Sequence, residues 1–367
     1  MLANGEISKQ DYDEALGLAP AAAEEAVAEV REEDLVDEDP REHINIVFIG
    51  HVDAGKSTLS GSILYITDRV DKRTIERFER EAKERNRDSW FLAYIMDTSD
   101  EERAKGKTVE VGRAHFDTPA KRYTILDAPG HKNYVPNMIS GAAMADVGCL
   151  VISARKGEFE TGFERGGQTR EHAILCKTLG VEKLIVVINK MDDPTVEWAE
   201  ERFKECKDKL TPFLKSNGYK VKKHVYFIPI SGLSGANVKE EVDPAVCPWW
   251  KAYKQPTLLG QLDQLEIEGR DRTAPLRVPI LDRYSERGEV CIGKVESGTL
   301  RVGEEIMIMP TKMKVKVSLI EIDGGEGDCT GTTQQTVITK GVKTAKVGEN
   351  VTVKIQGCNQ LDDLQKG

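Results

Sequence analysis

Nine residues, Gly50-His51-Val52-Asp53-Ala54-Gly55-Lys56-Ser57-Thr58, carry more chemistry per position than any other stretch of this 367-residue chain. Their form is G-x-x-x-x-G-K-S. Glycines let backbone N–H groups approach phosphate oxygens, Lys56 supplies a point charge, and the Ser57 hydroxyl suits magnesium. The apolar run Ile44 to Ile49 feeds the loop and a helix-like segment, Leu59 to Thr67, leaves it, so bound phosphate would also meet the positive end of a helix dipole. Strand, loop and helix in that order are the context the motif requires, and residues 51–58 are expected to cradle a nucleotide's phosphates.

Three more stretches define what that loop would serve. Asp-Ala-Pro-Gly-His, 127–131, follows the strand-like Tyr123 to Leu126. In a parallel sheet an Asp at the carboxyl end of a strand lies beside the phosphate loop, where it holds magnesium, usually through water. Gly130 can offer its N–H to a γ-phosphate, and His131 stands where a side chain could align an attacking water. Phosphoryl transfer asks mainly for positioning and charge stabilisation, so both are expected to be catalytic.

Asn-Lys-Met-Asp, 189–192, follows the apolar strand Leu184 to Ile188. A carboxylate there can accept from the N1–H and exocyclic amine of guanine, a donor pair adenine lacks, so Asp192 makes the nucleotide GTP or GDP. Lys190 can lay its stem along the base and Asn189 can bridge loops. Ser231-Gly232-Leu233 supplies a turn whose N–H groups can meet the guanine O6. Thr108 could reach magnesium when a γ-phosphate is present and leave when it is not, which gives Ser57, Thr108 and Asp127 as expected metal ligands.

To position these residues the chain alternates apolar strands with amphipathic helices from Ile44 onward, the pattern of a mostly parallel α/β sheet wrapped by helices. Strands are expected at Ile44 to Ile49, Thr108 to Phe116, Tyr123 to Leu126, Val147 to Ile152, Lys183 to Ile188 and Val225 to Ile230. Between the first two, Ile75, Phe78 and Ala82 recur at helical spacing among dense charges, predicting an amphipathic helix. The rhythm breaks near residue 240, a short helix follows at Thr257 to Leu265, and alternating strands with Gly-containing turns then indicate a small antiparallel β-barrel. Three regions are expected: a mobile acidic arm over 1–43, a GTP-binding domain over 44–269 and a β-barrel over 270–367. The Gly- and Thr-rich stretch 323–341 reads as a mobile loop.

Composition removes several alternatives. There is no run of 18 apolar residues, and the N-terminus has neither a basic region nor an apolar stretch, so neither a membrane span nor a secretory signal is expected. The seven cysteines include no C-x-x-C pair, which suits reduced thiols in the cytoplasm. Of the net charge of -10, residues 1–42 account for fourteen acidic against three basic residues, leaving about +1 for the rest. A nearly neutral body behind an acidic arm can still present a basic face to RNA. DNA is not an expected partner.

These motifs together resemble the translational GTPases of the elongation factor Tu and elongation factor one-alpha group, and within it the GTP-binding release factors of eukaryotes. GHVDAGKST, VDKRTIERFEREA (70–82), DAPGHKNYVPNM (127–138), GQTREHA (167–173) and NKMDDP are shared with the group. GKTVEVGRAHFDT (106–118), VISARKGEFETGFERGGQTREHA (151–173) and CPWW (247–250) are particular to the release factors. The resemblance implies a GTP hydrolase acting in translation termination. Its partners would be the ribosome, whose RNA orders His131, and a codon-reading release factor, gripped mainly by a third domain that this chain does not reach. It also implies a hydrophobic gate beside His131, in which Val52 faces position 107, here Lys107 in place of an aliphatic residue. A ribosome-rescue or tRNA-carrier GTPase, and a binding module that uses GTP without turnover, are the alternative readings.

Overall fold

The run Glu-His-Ile-Asn-Ile-Val-Phe-Ile forms β1 (Glu42–Ile49), buried at every position after the first. A strand covered on both faces reads as a continuous apolar run instead of an alternation. In the computed structural model, which describes residues 39–96, 108, 111–164, 167–285, 288–323, 339–357 and 364–365, β1 lies inside a six-stranded sheet. Its companions are β2 (Gly112–Asp117), β3 (Lys121–Asp127), β4 (Val147–Ser153), β5 (Lys183–Asn189) and β6 (Val225–Pro229), in the order β2-β3-β1-β4-β5-β6. Every pairing is parallel except β2 with β3. The chain leaves β1 toward β3 on one side and β4 on the other, so the crevice past the end of β1 is a switch point where α/β folds bind ligands.

Helices α1 (Lys56–Ile66), α2 (Lys72–Glu84), α3 (Val135–Met144), α4 (Glu158–Phe163), α5 (Gln168–Thr178), α6 (Glu200–Ser216) and α7 (Leu258–Gln264) complete this unit. Helix α2 is the amphipathic insertion. Its Ile75, Phe78 and Ala82 are buried, and the Asp71 carboxylate caps it by accepting the Thr74 N–H at 2.8 Å. The Cys-Pro-Trp-Trp stretch has a packing role, since Trp249 packs tilted and Trp250 edge-on against Phe203 of α6.

Among the described residues beyond 279, the regular elements are all strands. A second apolar core, with Val295, Val317, Ile320 and Val353 at its centre, is enclosed by two antiparallel sheets. The larger has β7 (Ile280–Ser285), β8 (Glu289–Lys294), β10 (Glu305–Ile308), β11 (Met313–Asp323), β12 (Thr339–Gly341) and β14 (Asn350–Gln356). The smaller pairs β9 (Thr299–Arg301) with β13 (Thr344–Lys346), and Leu300 and Ala345 drop into the same core.

The two units are joined through buried polar contacts. Asp146, just before β4, accepts the Asn45 N–H at 2.8 Å and pairs with Lys294 at 2.8 Å and Arg270 at 2.9 Å. Nearby, Arg122 of β3 pairs with Glu349, and Asn350 donates to Asn45 Oδ1.

Two expectations change. The strand drawn from Thr108 begins only at Gly112, because the register with β3 ends at the Gly112–Asp127 pair and Thr108 turns instead toward the phosphate loop. The alternation at Leu276, Val278 and Ile280 yields a single bridge, Arg277 with Ser297, before β7 starts at Ile280. Most of the acidic arm, Lys107 of the expected gate, and most of the 323–341 stretch lie outside the described residues. Among the described residues no helix is long and apolar enough to cross a membrane.

Candidate functional site

A cleft of about 630 Å³ opens at the carboxyl ends of β1, β3, β5 and β6. One end is formed by the phosphate loop, which the sequence can build only with glycine at its critical points. Gly50 has φ +143°, and a Cβ there would lie 2.2 Å from the Val151 carbonyl oxygen. Gly55 has φ +91°, and its Cβ would lie 2.4 Å from Asn189 Nδ2. Between them, Asp53 also takes a left-handed φ of 61°. This is the tight backbone path that turns successive N–H groups toward an anion.

Lys56 opens α1 yet is 6% exposed. Its Nζ donates to the carbonyls of His51 (2.9 Å) and Gly50 (3.2 Å). Burial lowers its pKa while the charges of Asp127 and Asp53 oppose that shift. An added negative charge would therefore favour its protonated form. Ser57 Oγ and Thr108 Oγ1 lie 3.1 Å apart across the same end, and Asp127 is fully buried at the end of β3. At Gly130 a Cβ would come within 2.5 Å of Lys56 Nζ, 3.0 Å of the Gly50 carbonyl oxygen and 3.1 Å of the Val52 N, so any larger residue would crowd Lys56 and press this turn away from the loop. His131 lines the cleft, and its Nδ1 accepts the Asn133 N–H at 3.3 Å, a bond that leaves Nε2 for other work.

The other end is built from side chains. Asn189 donates to the Ala54 carbonyl (2.9 Å) and accepts from the N–H groups of Lys190 and Gly232 (2.8 Å each). One amide thus ties the phosphate loop, the 189–192 loop and the 231–233 turn together. Lys190, at φ 61°, sends its ammonium to Glu158 at 2.8 Å. Asp192, Ser231 and Leu233 line the wall.

The cleft walls therefore include Val52, Asp53, Gly55, Lys56, Ser57, Thr58, Thr108, Gly130, His131, Asn189, Lys190, Asp192, Ser231 and Leu233. Four expected residues stand behind that surface. His51 packs on Gly162 of α4, Ala54 is reached by Asn189, Asp127 is buried, and Gly232 contributes its N–H to Asn189.

Several residues were missed. Ser89, Trp90 and Ala93 come in from the insertion, and Arg155, Glu158, Asp193 and Pro194 border the base end. The i,i+3 opposite charges in Arg155-Lys156-Gly157-Glu158 were the available signal. His172 of α5 lies fully buried beneath the loop, and its Nδ1 accepts the Gly50 N–H at 3.2 Å. Burial first, then the Lys56 charge, lowers its pKa from 6.5 to about 3.

The family described as elongation factor Tu GTP binding domain matches residues 41–269. The eukaryotic peptide chain release factor GTP-binding subunit of Kluyveromyces lactis is 55% identical over 296 residues, covering 79% of this chain and 42% of that protein. Its counterpart in Dictyostelium discoideum is 54% identical over 331 residues, covering 90% and 56%. The chain spans about half the length of the curated relatives it matches. Among solved structures, the S. cerevisiae Ski7 GTPase-like domain bound to GTP superposes with a TM-score of 0.66 at 22% identity, over 89% of this chain and 74% of that one. That last likeness is one of fold.

Proposed function

The chain belongs to the elongation factor Tu GTP-binding domain family, and from that premise we propose that it is a ribosome-dependent GTPase of translation termination. It hydrolyses GTP to GDP and phosphate in the cytoplasm and couples that step to a codon-reading release factor. The observation that carries the termination reading is the 54–55% identity to release-factor GTP-binding subunits. The cleft supplies the chemistry.

Asp192 accepts from the guanine N1–H and amine, the Lys190 stem lies along the base, and the 231–233 turn meets O6. The loop from His51 to Thr58 wraps the phosphates, with the Lys56 ammonium between them. The hydroxyls of Ser57 and Thr108, 3.1 Å apart, and the Asp127 carboxylate are hard oxygen donors of the kind magnesium takes. When bound there, magnesium would neutralise charge developing on the phosphate oxygens.

Gly130 presents its N–H to the γ-phosphate. Nδ1 of His131 is engaged by the Asn133 N–H, and the opposite edge of the ring orients the attacking water. Contacts in trans complete this arrangement, so hydrolysis by the isolated chain is slow.

Single-turnover hydrolysis with and without ribosomes tests this reading. Ribosomes should accelerate the wild-type chain, and His131→Ala should lose that acceleration by about a hundredfold or more while still binding GTP. A variant that hydrolyses at the wild-type rate on ribosomes removes His131 from the mechanism.

A further inference from the structure

Glu158, the first residue of α4, gathers three donors on one carboxylate. Its Oε2 accepts from Ser153 Oγ and Lys190 Nζ, each at 2.8 Å, and its Oε1 accepts from Arg155 Nη1 at 2.9 Å. The other edge of the same guanidinium reaches Asp193, with Nε at 2.7 Å and Nη2 at 2.6 Å from Oδ2. Asp193 is held in turn by the Thr195 N–H and hydroxyl at its second oxygen. Arg155 thus spans two carboxylates from two separate segments, a task that suits its planar fork and not a lysine.

This cluster frames the end of the cleft where the base would sit. Lys190 is fixed at both ends, its N–H by Asn189 Oδ1 and its ammonium by Glu158, so its methylene stem has little freedom left to lose when a planar ring settles on it. Asp192 lies between Lys190 and Asp193, both of which are anchored. Glu158 and Arg155 belong to a different turn of the chain from the 189–193 loop, and no role in the site has been given to either.

We propose that Glu158 and Arg155 are positioning residues that latch the base-reading loop through Lys190 and Asp193, and so set how long a guanine nucleotide stays bound. The proposal rests on the guanine reading of Asp192. Loss of the latch frees the Lys190 stem and the loop that carries Asp192, which acts on dissociation more than on encounter. Because Asp192 itself is retained, discrimination between purines is kept while residence time falls.

The test is release of fluorescent GDP by the full chain, chased with unlabelled GDP, IDP or ADP. Glu158→Gln should release GDP about tenfold faster, the scale of one lost hydrogen bond to a charged group, with the GDP-to-IDP preference unchanged. In a Lys190→Ala background, Glu158→Gln should accelerate release by clearly less than it does in the wild-type chain, since the two changes share the Lys190–Glu158 interaction. A general weakening of the fold would add. Arg155→Gln, at a half-exposed position, should reproduce the effect and serves if Glu158→Gln does not fold. Wild-type release rates in Glu158→Gln and Arg155→Gln, or effects of Glu158 and Lys190 that multiply independently, overturn the latch. A wild-type chain that holds GDP no better than IDP or ADP sinks the guanine reading and the latch with it.

Discussion

The two ends of the cleft are made of different materials. At the phosphate end the shape comes from backbone: Gly50, Gly55 and Gly130 each sit where a single added carbon would strike a neighbour at 2.5 Å or closer. At the base end it comes from side chains, with Asn189, Lys190, Glu158, Arg155 and Asp193 joined by hydrogen bonds and ion pairs of 2.6–2.9 Å. At Gly50 the struck atom is backbone, which cannot give way, and at Gly55 and Gly130 it is a side chain that other bonds hold in place, so an added carbon either strains the loop or breaks one of those bonds. A side-chain network fails by degrees, one contact at a time. On the proposed reading, the phosphate end should decide whether a nucleotide binds, and the base end should adjust which one and for how long.

The sharpest way to break that contrast is Gly55→Ala. The residue has φ +91° and its Cβ would lie 2.4 Å from Asn189 Nδ2, so the change strains the loop and displaces the amide that ties both ends together. Strain of this kind together with the lost amide should weaken GDP binding by about a hundredfold or more in calorimetric titration. A loss of only a few-fold would mean that the loop adapts and that the two ends do not differ in kind.

A smaller effect, of a different sort, is expected from Asp192→Asn. The amide presents a donor where guanine also has a donor and xanthine has a carbonyl. Preference should move toward xanthosine nucleotides by about ten- to a hundredfold, because mispaired buried polar groups are costly. Competition between GDP and XDP measures it. Unchanged preference for GDP would count against Asp192 as the base reader and would leave the base end without its assigned task.

The contrast between the ends also governs what could be read from the residues alone. The phosphate loop was legible because its demand for glycine is local, and β1, β4 and β5 because strands covered on both faces are dominated by apolar residues on both faces, with Asn45 a buried polar exception in β1. Thr108 was expected in a strand but lies before it, 3.1 Å from Ser57, since β-branched neighbours mimic strand composition while the register with β3 stops at Gly112. Strands β9 and β13 have three residues each, too few to show an alternation. The base-end latch joins residues 32 and 38 positions apart, and His172 meets Gly50 across 122 positions. Pairings of that range have no local signature. Burial of a histidine inside Gln-Thr-Arg-Glu-His-Ala is decided by where α5 packs, not by its neighbours in the chain.

His172 gives the smallest effect and the finest probe of the phosphate end, because it supports the loop from beneath without touching the cleft. Its ring is neutral in the folded chain, with a pKa near 3 in place of 6.5, and Nδ1 takes the Gly50 N–H. Between those two values the unfolded chain binds a proton that the folded chain refuses. The stability contributed by the neutral ring is therefore whole above pH 6.5 and is lost as pH falls toward 3. His172→Gln can still offer an acceptor to Gly50 but does not titrate. At pH 7.5 it should cost about 1 kcal/mol, the worth of one imperfectly replaced hydrogen bond, and lower the melting temperature by about 2–4 °C. Between pH 6.5 and pH 5 the variant should lose less stability than the wild-type chain, so that the two melting curves converge on acidification. Parallel losses would show that the ring does not carry this pH dependence, and a large drop in GDP affinity at pH 7.5 would show that it acts on the loop more directly than its one bond to Gly50 implies.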